Sequence, residues 1–169
     1  MTRDVINNIF RFILLWAAQV FVLNHINLTV LFNPMIYPLF IMLLPYETPR
    51  WLVIFLGFLM GLFVDFFSGS FGLHASAGAL IGFLRPYILN FLEPFDGYSG
   101  ELSLGRMGLK WYLFYAVIII LVHHCYFFII QTFSFSQFFA LIIRILLSSA
   151  LSCLLIILLE YLFPARKKV

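Results

Sequence analysis

The sequence predicts an all-α fold: a polytopic membrane bundle of six transmembrane helices, forming one integral membrane domain over residues 1–169 with both termini cytoplasmic. Three observations predict it. Hydrophobic residues make up 64% of the chain and charged residues only 10%, more apolar surface than a soluble domain can hide when its own exterior must meet water. Apolar runs recur six times at roughly the 20-residue length that a crossing helix needs. The lysines and arginines of the connecting segments, finally, all fall on one side of such a bundle.

The first run gives a span over about 4–24; it lacks a small-x-small cleavage site after the apolar stretch and so reads as a helix and not as a signal peptide. The second, about 30–44, is short and contains Pro34 and Pro38. It is expected to be kinked or partly irregular, which is tolerable where neighbouring helices shield the freed backbone. A tight charged turn, Pro45 to Arg50, leads to the third span, about 51–67, which starts with an interfacial tryptophan, Trp51. A glycine-rich break, Ser68 to His74, turns the chain into the fourth span, about 75–92, where Pro86 is expected to kink the helix. Glu93 to Lys110 reads as surface loop, and the spans 111–133 and 138–163 complete the set before the basic tail Arg166-Lys167-Lys168.

With six spans, both termini and the 45–50 and 93–110 loops share one side, which holds Arg3, Arg50, Arg106, Lys110, Arg166, Lys167 and Lys168. The opposite loops, 25–29, 68–74 and 134–137, contain no lysine or arginine. The positive-inside rule then makes the basic side cytoplasmic. The pI near 9 comes from few charges and does not point to nucleic acid. Cys125 and Cys153 both lie in apolar runs and fit buried small side chains better than a disulfide or a metal site.

Small residues and charges recur at helical spacing in the centre of the chain. Gly57, Gly61 and Asp65 fall four apart; Ala75, Gly78, Gly82 and Arg85 follow a three-four-three spacing. Each set lies on one helix face, so each charge points towards another helix and not towards lipid. Arg144 shares a stripe with Ala140, Ser148 and Ser152. An isolated charge at mid-helix costs about 2.5–3.5 kcal/mol, so a contact between Asp65 and Arg144, both in the outer half, is one arrangement. The other has each facing the outer headgroup zone separately. For Arg85 the choice is between a protein-facing role, with Glu160 as a possible partner, and snorkelling to inner phosphates; for Arg11 snorkelling is the simpler reading.

No catalytic, cofactor or metal set is legible. His25, Asp65 and His74 meet at the outer end by residue type, but His123 and His124 are adjacent and point about 100° apart, and no His-x-x-x-His pair occurs. No serine stands at a readable spacing from a base, and there is no phosphate loop.

The run Pro45-x-x-x-Pro49-Arg50-Trp51, followed by Gly61-x-x-x-Asp65 and then Gly69, Gly72, His74 and Ala75, resembles the middle of the MreD family of rod shape-determining membrane proteins. That family shows a proline and arginine before a span, a glycine-rich helix ending in Gly-x-x-x-Asp, and a Gly-x-x-Gly-x-His/Arg-Ala turn. The specific likeness covers about residues 45–86; length, hydropathy and basic tail agree in character. The resemblance implies a non-enzymatic scaffold in the bacterial cytoplasmic (inner) membrane. Its partners would be an MreC-like membrane protein and the elongation complex: an MreB-like filament, a RodA-like glycosyltransferase and a penicillin-binding transpeptidase, with membrane lipid around it. It also implies a fold similar to the substrate-binding subunits of energy-coupling-factor vitamin transporters, which supplies the alternative function. Those subunits usually carry Ala-x-x-x-Ala in the first helix, whereas here Ala17 and Ala18 are adjacent and are followed four residues on by Phe21 and Val22. An intramembrane enzyme or lipid transporter is a third reading, without a catalytic set to carry it.

Overall fold

The computed structural model describes residues 2–26, 32–93, 97–133 and 138–163; the basic tail from 164 onward and the 134–137 loop lie outside them, as does most of the 25–29 loop. The described chain is helical: α1 (Thr2–Ala17) continues through a π turn (Ala18–Val22) and a 3-10 turn (Leu23–His25), followed by α2 (Pro38–Leu43), α3 (Arg50–Ser68), α4 (Leu73–Phe91), α5 (Leu104–Met107), α6 (Leu109–Thr132) and α7 (Phe138–Leu162). No strand occurs among the described residues; Pro45 and Glu101 form an isolated antiparallel bridge. Four helical stretches, Val5–His25, Arg50–Ser68, Leu109–Thr132 and Phe138–Leu162, are long and apolar enough to cross a membrane. Their outward faces carry large apolar side chains such as Phe10, Trp51, Phe66, Phe114 and Phe139, as a lipid-facing surface requires.

The predicted fourth span forms a helix packed on three others. α4 is as long as α3, 19 residues each, but its polar side chains lower its apolarity, and it buries His74, Ala77, Gly78, Ile81, Gly82, Arg85 and Leu89 against its neighbours. Its main partner is α3, with α6 and then α2 behind it. Helix geometry continues through Pro86.

The second predicted span is only half a helix. Residues 32–37 are not helical and α2 has six residues. Pro34 and Pro38 lack the N–H that a helix here would need, and the remaining amides find side chains instead. Asn33 N donates to Ser148 Oγ at 3.1 Å, Met35 N to Ser152 Oγ at 2.9 Å and Ile36 N to Gln19 Oε1 at 2.7 Å. Gln19 also donates to the Pro34 carbonyl at 3.2 Å. The chain thus threads the interior in sequence order. It starts beside Ser148 and Ser152 of α7, passes Tyr37 beside His74 and His123, and ends with the Leu44 carbonyl accepting from Arg85. Met35, Tyr37, Ile41 and Met42 are fully buried. Irregular backbone is tolerated here because protein surrounds it and satisfies its amides.

The 97–108 segment is the expected surface loop only in part, with Gly97, Ser99, Gly105, Arg106 and Gly108 exposed. Leu102, Ser103 and Leu104 are buried, and the segment folds under the bundle. Tyr46 N donates to the Gly100 carbonyl and Gly100 N to Glu47 Oε1, both at 2.7 Å. Leu104 N donates to Glu160 at 2.9 Å, and Tyr98 Oη to the Leu89 carbonyl at 2.8 Å. Arg11, which on sequence alone would reach for phosphates, forms an ion pair with Glu101 of this segment instead. The Gly100 amide holds the Glu47 carboxyl below its ordinary pKa. Burial pushes the Tyr98 phenol up to about 12.

Candidate functional site

The motif-bearing residues converge on the α3–α4 hairpin, where two glycine stripes face one another. A Cβ added at Gly57 would stand 2.9 Å from the Gly78 carbonyl carbon, and one at Gly78 2.9 Å from that of Gly57. At Gly61 it would reach 2.5 Å from Ala75 N, and at Gly82 2.9 Å from the Val53 carbonyl oxygen. Real Cβ atoms do not approach backbone so closely, so each of the four positions admits no side chain as the helices stand. The stripes read from the sequence are therefore the two halves of one interface, with backbone packed on backbone.

The turn between the helices uses the other two glycines differently. Gly69 (φ +64°) ends α3 and Gly72 (φ +87°) precedes α4. Both stand in open space, so it is the left-handed backbone, cheap only for glycine, that requires them. Between them Phe71 also has positive φ, +49°, and a fully exposed ring.

Asp65 closes this turn. Gly72 has no side chain to cap α4, and the carboxylate from the preceding helix takes over. Asp65 Oδ2 accepts from Ala75 N at 2.8 Å, and Oδ1 accepts from His74 N at 3.1 Å and from Ser70 Oγ at 2.5 Å. The His74 ring adds Nδ1 at 2.9 Å. A negative charge against the first free amides of a helix satisfies orphan donors and complements the helix dipole. Asp65 is buried, and this donor set, without an arginine, compensates it.

The structure accordingly does not bring Asp65 and Arg144 together. Arg144 lies with its guanidinium 4.4 Å from the Phe128 ring centroid, and its Nε has no hydrogen-bond partner. Arg85 does not meet Glu160 either, since Glu160 is occupied by Leu104 N. Arg85 is buried and faces protein: Nε donates to Tyr115 Oη at 3.2 Å, and one terminal nitrogen donates to the Leu44 carbonyl and, at 3.5 Å, to that of Pro45. His25 contacts the Val20 carbonyl through Nδ1, apart from Asp65 and His74. Among the described residues no three His, Cys, Asp or Glu side chains are grouped to hold a metal ion.

From the hairpin a polar string continues inward. Tyr37 Oη contacts the His74 carbonyl at 3.3 Å and His123 Nε2. One arrangement leaves no donor stranded: Tyr37 donates to the carbonyl and accepts from Nε2–H. His123 Nδ1, which has no partner, is then a bare acceptor, cheaper to bury than an unpaired N–H. His124 bridges the Ile120 carbonyl and Ser152 Oγ. Around these, the His74 and Phe127 rings lie 4.5 Å apart between centroids and the Tyr37 and His123 rings 5.1 Å. Tyr37 and Gln19 went unmarked on sequence. A lone Gln inside an apolar run, and a Tyr held between two prolines, were the available signals.

Chemically the site is a set of satisfied structural contacts. Its carboxylate, its histidine and its glycines are all engaged in holding two helices and a turn. No family model, curated protein or solved structure matches the chain.

Proposed function

We propose that this chain is a non-catalytic membrane scaffold of the bacterial cell-elongation machinery, an MreD-like protein of the cytoplasmic membrane that binds an MreC-like membrane partner. One observation carries the reading: of the residues that make the family resemblance, the glycine, acid and histidine part, Gly61, Asp65, Gly69, Gly72, His74 and Ala75, builds the capped hairpin. The motif thus has a structural purpose, which suits a scaffold. The partner's membrane segment has helix faces to read, since α1 and α3 present continuous exposed apolar side chains, among them Phe10, Ile13, Phe58 and Phe63.

In this reading the chain crosses the membrane six times, with termini, the 45–50 turn and the 97–108 segment in the cytoplasm. The half-helical second segment has the reach. Five residues, 32–36, at up to about 3.3 Å and seven, from Tyr37 on, at about 1.5 Å span up to about 27 Å, close to a hydrocarbon core of about 30 Å. Substituted-cysteine labelling tests the topology: positions 70 and 99 should react from opposite sides. The functional test is depletion in a rod-shaped bacterium. Rounding of the cells, with co-purification of an MreC-like protein, supports the scaffold; unchanged shape sinks it. A vitamin-binding subunit would need an outward cavity, whereas Tyr37, His74, His123 and Phe127 pack ring against ring where one would open.

A further inference from the structure

At the opposite end of α4 from the capped turn, a cavity of about 230 Å³ opens between the 45–50 turn and the helix, lined by Tyr46, Thr48, Arg50, Gly82, Arg85 and Asn90. We propose that it is a binding site for a phosphate group, in a membrane most simply the headgroup of an anionic phospholipid. Arg85 is 97% buried, at 3% exposure, and all its protein partners are neutral: a phenol and two carbonyls. A buried guanidinium without a counter-ion is costly to maintain, and the cavity it lines is where the missing anion fits.

Arg50 stands at the mouth. Its guanidinium lies 4.5 Å from the Phe83 and 4.8 Å from the Tyr87 ring centroid and donates to Tyr87 Oη at 2.9 Å. It is held flat on α4 with donors to spare. Among the described residues no acid lines the cavity; Glu47, in the adjoining turn, is engaged by Gly100 N. Two arginines, a threonine and an asparagine supply donors suited to phosphate oxygens, and Val53, Pro86 and Leu89 make the rest of the lining largely apolar, as the ester end of a headgroup requires. The space, about eight waters' worth at roughly 30 Å³ each, accommodates a phosphate and part of its ester. Basic pockets between membrane helices recognise headgroups in this way.

The inference is independent of the scaffold reading and is tested by binding, not by cell shape. The full chain, delipidated in dodecyl maltoside, is titrated with phosphatidylglycerol, phosphatidylcholine and glycerol 3-phosphate, and read by native mass spectrometry and thermal unfolding. One tightly held phosphatidylglycerol per chain is expected, weakened about fivefold in Arg50→Gln, the effect of one basic contact near a membrane surface. Arg106→Gln, a basic residue outside the cavity, should leave it unchanged. Arg85→Lys keeps the charge and should also bind more weakly; if it does not fold, Arg50→Gln decides alone. Equal binding of glycerol 3-phosphate would keep the phosphate site and assign it to a soluble ligand. The proposal is overturned if neither phosphatidylglycerol nor glycerol 3-phosphate binds, if phosphatidylcholine is held as tightly as phosphatidylglycerol, if Arg50→Gln binds as well as wild type, or if Arg106→Gln loses as much.

Discussion

Replacing Asp65 is the sharpest probe of the hairpin. In Asp65→Asn, one oxygen becomes an NH₂. Turned so that its carbonyl takes the Oδ1 position, the amide still accepts from His74 N, but its NH₂ faces Ala75 N–H, now an orphaned donor. The opposite rotamer confronts His74 N, Ser70 and the His74 ring together, which is worse. The better rotamer forfeits one buried backbone hydrogen bond, about 1–3 kcal/mol, and the charge at the α4 N-terminus, about 0.3–1 kcal/mol at an ordinary site and up to about 2 in a partly buried one. We therefore expect Asp65→Asn to lose about 2–4 kcal/mol. Asp65→Ala strands both amides and should lose more, about 3–5 kcal/mol, whereas His74→Ala keeps its backbone donor and should lose less than either. Unfolding by SDS from dodecyl maltoside micelles, followed by far-UV circular dichroism, measures all three. An Asp65→Asn protein within about 0.5 kcal/mol of wild type, or one less stable than Asp65→Ala, would refute the capping argument.

At the helix interface, Gly57→Ala, Gly61→Ala and Gly78→Ala must each force the backbones apart and should destabilise by about 1–3 kcal/mol. Gly57→Ala and Gly78→Ala together should cost less than their sum, because both press on one contact. Gly105, with open space around it, should accept Ala without loss in the same assay. Ser152→Ala leaves the Met35 amide unsatisfied and should cost about 1–3 kcal/mol. Ser149→Ala, which removes a buried hydroxyl that has no partner, should be neutral or stabilising, and a larger loss at 149 than at 152 would contradict the hydrogen-bond assignment. Glu47 has a folded pKa below its unfolded value, because Gly100 N favours the carboxylate. Its contribution is therefore present above the unfolded value near 4.5 and is lost as pH falls through the folded pKa. Thermal unfolding of wild type and Glu47→Gln between pH 7 and pH 3 should converge at the acid end.

The long helices were legible because each is a continuous apolar run with a recognisable stop. Gly69 ends α3 within two residues of the expected boundary at Phe67, and α6 and α7 fall within two residues of the predicted spans. The glycine stripes were legible as faces, although not as each other's partners, since spacing fixes a direction around a helix and says nothing about what lies opposite. Charge pairing stayed open for a related reason. Opposite formal charges at similar depth make Asp65 and Arg144 natural partners on paper, yet the carboxylate is nearer to free helix amides, which no residue pattern advertises as donors. The second segment was recognisable as irregular from Pro34 and Pro38. Its hydrogen bonds to Gln19, Ser148 and Ser152 join positions up to 117 apart, beyond any local signal. The burial of Leu102–Leu104 was hidden by the glycines and charges around them, which made the segment read as solvent-exposed.

The amides of Asn33 and Met35 depend on hydroxyls that the ribosome supplies more than a hundred residues later. While the first five-sixths of the chain is being inserted, those donors have no permanent acceptor, so the second segment cannot settle until α7 arrives. Assembly is then closed by the final helix and not by successive hairpins, and α7 is the piece whose delay exposes the nascent chain for longest. A chain ending before Phe138 should remain open to proteolysis and to capture by insertion chaperones, even though α3 and α4 have already paired.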